Sequence, residues 1–235
     1  MSAVDDARLA EQIRKGTGAS SVLLGERLQS LWSGYGEIRR VELVGARACQ
    51  AIVKSVTPPQ ERDLGRAAGK LRSHRRKLRS YAIELAFYRG FAASCAASCR
   101  VPALLHGEAG QGRFLFVFED LDAAGFAQRR ALCSDSEICA CLSWLAAFHA
   151  RFLEVAPEGL WQVGSYWHLA TRPDELLALA GHELRRAAPR IDARLNGAHF
   201  RTLIQATRSS KTFASPKPGA RSRRSIFNML AAAWA

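Results

Sequence analysis

No segment of the 235-residue chain approaches the roughly 20 uninterrupted apolar residues that a membrane-crossing helix requires. The opening MSAVDDARLAEQIRKG also lacks the basic start and apolar middle of a secretory leader, so a cytoplasmic address is expected. Paired CxxC knuckles are missing too. The six cysteines, Cys49, Cys95, Cys99, Cys133, Cys139 and Cys141, are too sparse for a disulfide scaffold and are expected to be reduced and mostly packed. From Gln205 onward there is no aspartate or glutamate, against six Lys/Arg. Nearly half of the net charge of +13 therefore sits in that tail, which weakens a nucleic-acid reading of the whole chain.

What is present is enough apolar material, 48% of residues, for one domain or two small lobes. The spacing of apolar positions predicts helices over 5–15 and over 20–32, the latter through Val22, Leu23, Leu28, Leu31 and Trp32. Ser33-Gly34-Tyr35-Gly36 reads as a turn. Ile38, Val41 and Leu43, then Cys49, Ala51 and Val53, read as two short strands joined near Gly45, with Lys54 ending the second.

After Pro58-Pro59, a basic run places five Lys/Arg and one His between Lys70 and Lys77, and its first reading is a solvated face. SYAIELAFYRGFAAS then predicts a packed helix carrying Glu84. Two further strands are expected over Val101–His106 and Phe114–Phe118, around a turn spanning Gly107–Gly112. Ser134 or Asp135 caps a long helix closed by Pro157 and Gly159. Another helix begins at Pro173 and runs through Leu184, with a further helical stretch over Arg190–Ile204. Residues 206–225, rich in Ser, Arg, Pro and Gly, hold too little apolar surface for ordering to be expected.

Several tempting side chains have plainer readings. His149 on an apolar helix face reads as a hydrogen-bonded structural histidine. Cys95 and Cys99 have metal-compatible i, i+4 spacing without further ligands nearby in sequence, and Trp161, Tyr166 and Trp167 read as core.

The order of elements is more informative than any one residue. A Gly34-x-Gly36 turn, a strand Lys54, a helical Glu84, two more strands and the acidic connector Glu119-Asp120-Leu121 follow the ground plan of a kinase small lobe. In that plan the lysine grips the α- and β-phosphates of ATP and the glutamate holds the lysine. The expected fold class is α+β: a β-rich small lobe over 1–120 and an incomplete helical large lobe over 121–204, followed by a basic tail over 205–235.

The segments LWSGYGEIRRVEL, AIVKSVTPP, SHRRKLRSYAIELAFYR, FVFEDLDAAGF, WLAAFHARFL and GLWQVGSYWHLATRPDEL resemble the aminoglycoside phosphotransferase and choline kinase superfamily. The ecdysteroid-kinase-like branch is the most similar. The resemblance covers about residues 25–204 and implies transfer of the ATP γ-phosphate to a hydroxyl of a small molecule, with Mg²⁺ as cofactor. It places phosphate binding on Lys54 and Glu84 and the adenine hinge on Glu119, Asp120 and Leu121. The family's next block resembles His-Gly-Asp-Ala-Lys-x-x-Asn followed by Asp-Phe-Gln, and neither occurs in frame here. Without those groups the chain is expected to be inactive in transfer, and no residue is assigned as catalytic or as a Mg²⁺ ligand.

Read one base earlier, the codons of Ala206–Ser215 permit Gly-Asp-Ala-Lys-Leu-x-Asn-Phe-Cys-Phe, and those of Ser225–Ala233 permit Val-Asp-Phe-Gln-Tyr, then Ala or Val, then three glycines. Two ordered motifs in one shared frame make a frameshift near Gln205 the expected origin of the tail. The alternatives are a nucleotide-binding pseudokinase or interaction module, and a binder of nucleic acid through the basic tail.

Overall fold

Alternation of inward and outward side chains organises the first 120 residues. The computed structural model describes residues 3–31, 34–64, 68–127, 134–164, 168–204, 213–214 and 226–227. Helix α1 (Ala3–Thr17) starts with Asp5 and Asp6 and ends with Arg14 and Lys15, charges that complement the helix dipole. Gly18, at φ +71, closes it by donating its N–H to the Arg14 carbonyl.

The chain then forms strand β1 (Ser21–Ser30) where a helix over 20–32 was expected. Val22 and Leu24 pack toward α1 while Leu23 stays exposed, a period of two that only pairing with β2 reveals. Trp32 and Ser33 lie outside the described residues. Strands β2 (Gly36–Val44) and β3 (Gln50–Val56) meet near Gly45 as expected, but Lys54 stands inside β3 and does not end it. Strands β4 (Leu104–Gly110) and β5 (Arg113–Glu119) turn on Gln111-Gly112, both at positive φ, a tighter turn than the one expected over 107–112.

These strands make one antiparallel sheet in the order β1-β2-β3-β5-β4. Val41, Leu43, Ala51, Val53, Leu115 and Val117 point to one face, where Leu9 and Ile13 of α1 cover them. Ile38, Ile52, Val56, Phe116 and Phe118 point to the other face and pack with Tyr81, Leu85 and Tyr88 of α2 (Ala68–Gly90). Helix α2 begins well before the apolar run expected at Ser80, so the basic run is its first half.

Helix α3 (Asp135–Arg151) is capped by Ser134, whose hydroxyl accepts from the Glu137 N–H while the Glu137 carboxylate accepts from the Ser134 N–H. It stops before Pro157. Trp144 stacks on Phe148, Phe148 meets Phe152 at a tilt, and Phe148 and Phe152 both contact Phe87, fastening α3 to α2. The helix expected from Pro173 through Leu184 is broken. Helix α4 (Pro173–Leu177) is five residues long, and α5 (His182–Asn196) starts at an extended Gly181 and ends before the expected Ile204.

In the tail, β6 (Phe213–Ala214) pairs with β7 (Ile226–Phe227), a local pairing within and beside the stretch where no order was expected. The rest of 205–235 lies outside the described residues. The described architecture is α+β, and no described helix is long and apolar enough to cross a membrane.

Candidate functional site

The period of two in β3 places Lys54 on the same sheet face as Ile52 and Val56, directed at α2. On α2, Glu84 falls beside Tyr81, Leu85 and Tyr88 at helical i+3 and i+4 spacing. The two elements bring Lys54 Nζ to 2.7 Å from Glu84 Oε2 and 2.9 Å from Oε1. Lys54 has no exposed surface, and the rings of Tyr81 and Phe116 lie 5.0 and 5.4 Å from its ammonium. Burial pushes the Lys54 ammonium below its ordinary pKa and the Glu84 carboxyl above its own, and their mutual attraction opposes both shifts. An ion pair this deep contributes little net stability, because removing two charges from water costs about as much as their attraction returns. What it does supply is a fixed ammonium of defined direction.

Gly34 and Gly36 frame the β1–β2 turn at φ +71 and +139. A Cβ on Gly36 would stand 1.9 Å from the Ser55 carbonyl oxygen, so only glycine fits there. The Leu31 N–H donates to the Gly36 carbonyl at 2.8 Å, and the Thr57 N–H donates to the Tyr35 carbonyl at 2.8 Å, tying the turn to the exit of β3. Between the glycines, Tyr35 is buried, with its hydroxyl 2.7 Å from His74 Nδ1.

The connector after β5 is bound by its own acids. The Glu119 carboxylate accepts from Arg100 at 2.6 Å and from the Ala103 N–H at 2.8 Å. Asp120 is buried, accepts from Arg40 at 2.7 Å and receives the Asp122 N–H at 2.9 Å. Leu121 is buried against Phe126. The Phe126 N–H uses the Leu121 carbonyl, and the Ala124 N–H uses that of Asp120.

Three arginines of the basic run of α2 form ion pairs, two of them at the surface. Arg72 pairs with Asp174 at 2.9 Å, Arg75 with Glu61 at 2.9 Å and Arg76 with Glu175 at 3.1 Å. Arg76 also donates to the Thr171 carbonyl at 2.6 Å and is largely covered, whereas Lys70, Arg72 and Arg75 stay exposed, as a solvated face was expected to be.

A groove of about 590 Å³ opens across the sheet from the ion pair, lined by Asp5, Arg8, Glu37, Glu108 and Arg113 and reaching Gly34 and Gly36. The structure thus separates the candidate residues: the two glycines border this groove, while Lys54 and Glu84 lie on the other face. The groove's charged lining is mixed, three acids with two arginines, whereas the ion pair holds a single directed ammonium.

Other expectations resolve differently. His149 is half-buried, edge-on to Phe148, and its carbonyl accepts from the Thr202 hydroxyl; among the described residues its ring has no hydrogen bond. Cys95 and Cys99 do not share a helix, because an extended Ala96 separates two short 3₁₀ turns. Burial, reinforced by Cys99, pushes the Cys95 thiol up to about 12. Among the described residues no three His, Cys, Asp or Glu gather as a metal site. Trp161 is half-buried under the Arg79 guanidinium, and Tyr166, Trp167 and Cys133 lie outside the described residues. Sequence reasoning missed Arg40 and the Tyr35–His74 pair. The run His74, Lys77, Tyr81, Glu84 and Tyr88 keeps a helical stripe that carries His74 inward, but its charges masked it.

No protein-family model matches the chain, and no curated protein matches it.

Proposed function

We propose that the chain is the nucleotide-binding portion of a two-lobed, kinase-like small-molecule phosphotransferase, of the kind found in the aminoglycoside phosphotransferase and choline kinase superfamily. In this reading residues 1–120 are the small lobe and 121–204 part of a helical large lobe. The observation that carries it is the buried Lys54–Glu84 pair, delivered by the third strand of a five-stranded antiparallel sheet and by the helix that follows. An ammonium held by a bidentate carboxylate is suited to meet the α- and β-phosphates of ATP. The connector at Glu119–Leu121 begins where β5 leaves the sheet, and it is braced by ion pairs, as a rigid hinge for adenine requires.

ATP is the cofactor expected at this pair, and Mg²⁺ would reach it with the phosphates. The described residues offer the ion no ligand set, so no transfer step is assigned to this chain. Nucleotide binding without phosphoryl transfer is the activity proposed for these 235 residues. The acids paired with Arg72, Arg75 and Arg76 favour it over a nucleic-acid surface there.

The test is thermal unfolding with and without ATP. Wild type is expected to gain stability with ATP, by about 2.7 kcal/mol at a hundredfold excess over Kd. The double variant Lys54→Met/Glu84→Gln, which removes both charges at similar volume, is expected to gain none. An unshifted wild type rejects the reading.

A further inference from the structure

The register of the sheet carries one row of side chains straight across four strands: Glu37 lies opposite Ser55, Ser55 opposite Leu115, and Leu115 opposite Glu108. Because a strand alternates its faces, this row stands on the side that α1 covers, away from Lys54. The same four residues line the groove of about 590 Å³. Asp5 and Arg8, one turn apart on α1, and Arg113, at the start of β5, complete its charged lining. Glu37 is only 8% exposed, and its enclosed Oε1 accepts no hydrogen bond among the described residues. Arg39 Nε, 3.2 Å from that oxygen, belongs to a guanidinium that Asp6 shares. A carboxylate so placed is short of a donor. Arg8 and Arg113 are the converse: both are exposed, and neither has an ion pair among the described residues.

We propose that the groove between α1 and the sheet binds a small extended zwitterion, whose amine donates to Glu37 and whose carboxylate or phosphate accepts from Arg113 and Arg8. Mixed signs suit neither a simple anion, which would meet Glu37 and Glu108, nor a simple cation, which would meet the two arginines. Strands β2 and β5 are two places apart, so the backbones carrying Glu37 and Arg113 are separated by about 10 Å, and the two ends of the ligand need a spacer between them. Ser55, on the strand between, adds a hydroxyl to the floor. Arginine suits the anionic end because its planar fork matches a carboxylate or a phosphate. The site stands apart from the nucleotide reading, which concerns the other face of the sheet.

Isothermal titration calorimetry of the full chain at fixed salt compares two zwitterions, ε-aminocaproate and ω-aminopentyl phosphate, with hexylamine and hexanoate, which carry one charge each. Wild type is expected to bind at least one zwitterion roughly tenfold tighter than either control, and the ratio of the two zwitterions tells whether the anionic end is a carboxylate or a phosphate. Glu37→Gln and Arg113→Gln are each expected to weaken that binding roughly tenfold. Arg47→Gln removes the same charge as Arg113→Gln from an exposed position outside the lining and is expected to leave binding unchanged. Arg113 is exposed, so its variant decides the matter if Glu37→Gln folds poorly. Undetectable binding of both zwitterions, controls that bind as tightly, or an Arg113→Gln protein indistinguishable from Arg47→Gln overturns the site.

Discussion

Arg40 Nε lies 2.7 Å from Asp120 Oδ2, a contact between the middle of β2 and the segment that leaves β5. The same guanidinium lies 2.7 Å from Asp122 and 2.9 Å from Glu26. One arginine therefore holds the connector on both sides of Leu121, and it does so across 80 residues of sequence.

Arg40→Gln leaves the buried Asp120 carboxylate without its cation. The expected loss is about 1–3 kcal/mol of unfolding free energy, less than for a fully buried pair because the arginine is partly solvated. A double-mutant cycle with Asp120→Asn in urea measures the coupling. A coupling near zero would mean that the connector is braced by something else.

Lys54→Met strands Glu84 in the core and is expected to cost about 3–5 kcal/mol. Adding Glu84→Gln should recover much of this loss, since a neutral amide is far cheaper to bury than a lone carboxylate. Denaturant midpoints of the three proteins decide it, and equal stabilities of the single and double variants would contradict the tight coupling described above.

Gly34→Ala and Gly36→Ala separate backbone strain from collision. At Gly34 nothing lies within 4 Å of an added Cβ, so the cost is the left-handed backbone alone, about 1 kcal/mol. At Gly36 the added carbon meets the Ser55 carbonyl, and the β2–β3 ladder must part locally, so the loss is expected to exceed that at Gly34 by about 2 kcal/mol or more. Comparable melting temperatures for the two variants would refute the steric account.

His74 gives stability a pH dependence. Burial holds its imidazole below the ordinary value, with Glu61 opposing and Lys77 and Arg75 adding to the shift. The unfolded chain takes up this proton near about pH 6.5 while the folded chain resists it. The contribution is therefore intact above that value and lost as pH falls through it toward the lower folded pKa. Melting temperature should drop between about pH 7.5 and 5.5, and less steeply in His74→Met. Parallel curves would remove His74 from the explanation.

Cys95 should resist alkylation at neutral pH, since burial pushes its thiol up to about 12, while the exposed Cys49 and Cys139 react first. Peptide mapping after a short iodoacetamide pulse gives the order directly.

The Lys54–Glu84 pair was legible because a strand and a helix each declare their inner face by periodicity, and both residues fall on that face. The first strand was not. Leu23 and Leu28 are both exposed on β1, and their spacing with Leu31 imitates a helix, whereas the pairing of Ser21 with Val44 that makes the segment a strand is a long-range fact. The first half of α2 was hidden for the opposite reason. Its arginines face acids on α4 and on the turn before α2, and no local pattern announces a partner about 100 residues away. The boundary of α5 was obscured by Pro189, which the helix accommodates in its interior.

Helix α5 buries none of its residues, and Leu184, Ile191 and Leu195 form an apolar stripe in the open. Its side-chain ties include His168–Asp192, at 3.0 Å, and Arg185, which donates to the Leu177 carbonyl. A helix of 15 residues with none of them buried is marginal by itself. Cooperativity is therefore graded along the chain. Amide protons of α5 should exchange through local fraying, on a scale close to that of a free peptide, while those of β3 and β5 wait for the whole sheet to open.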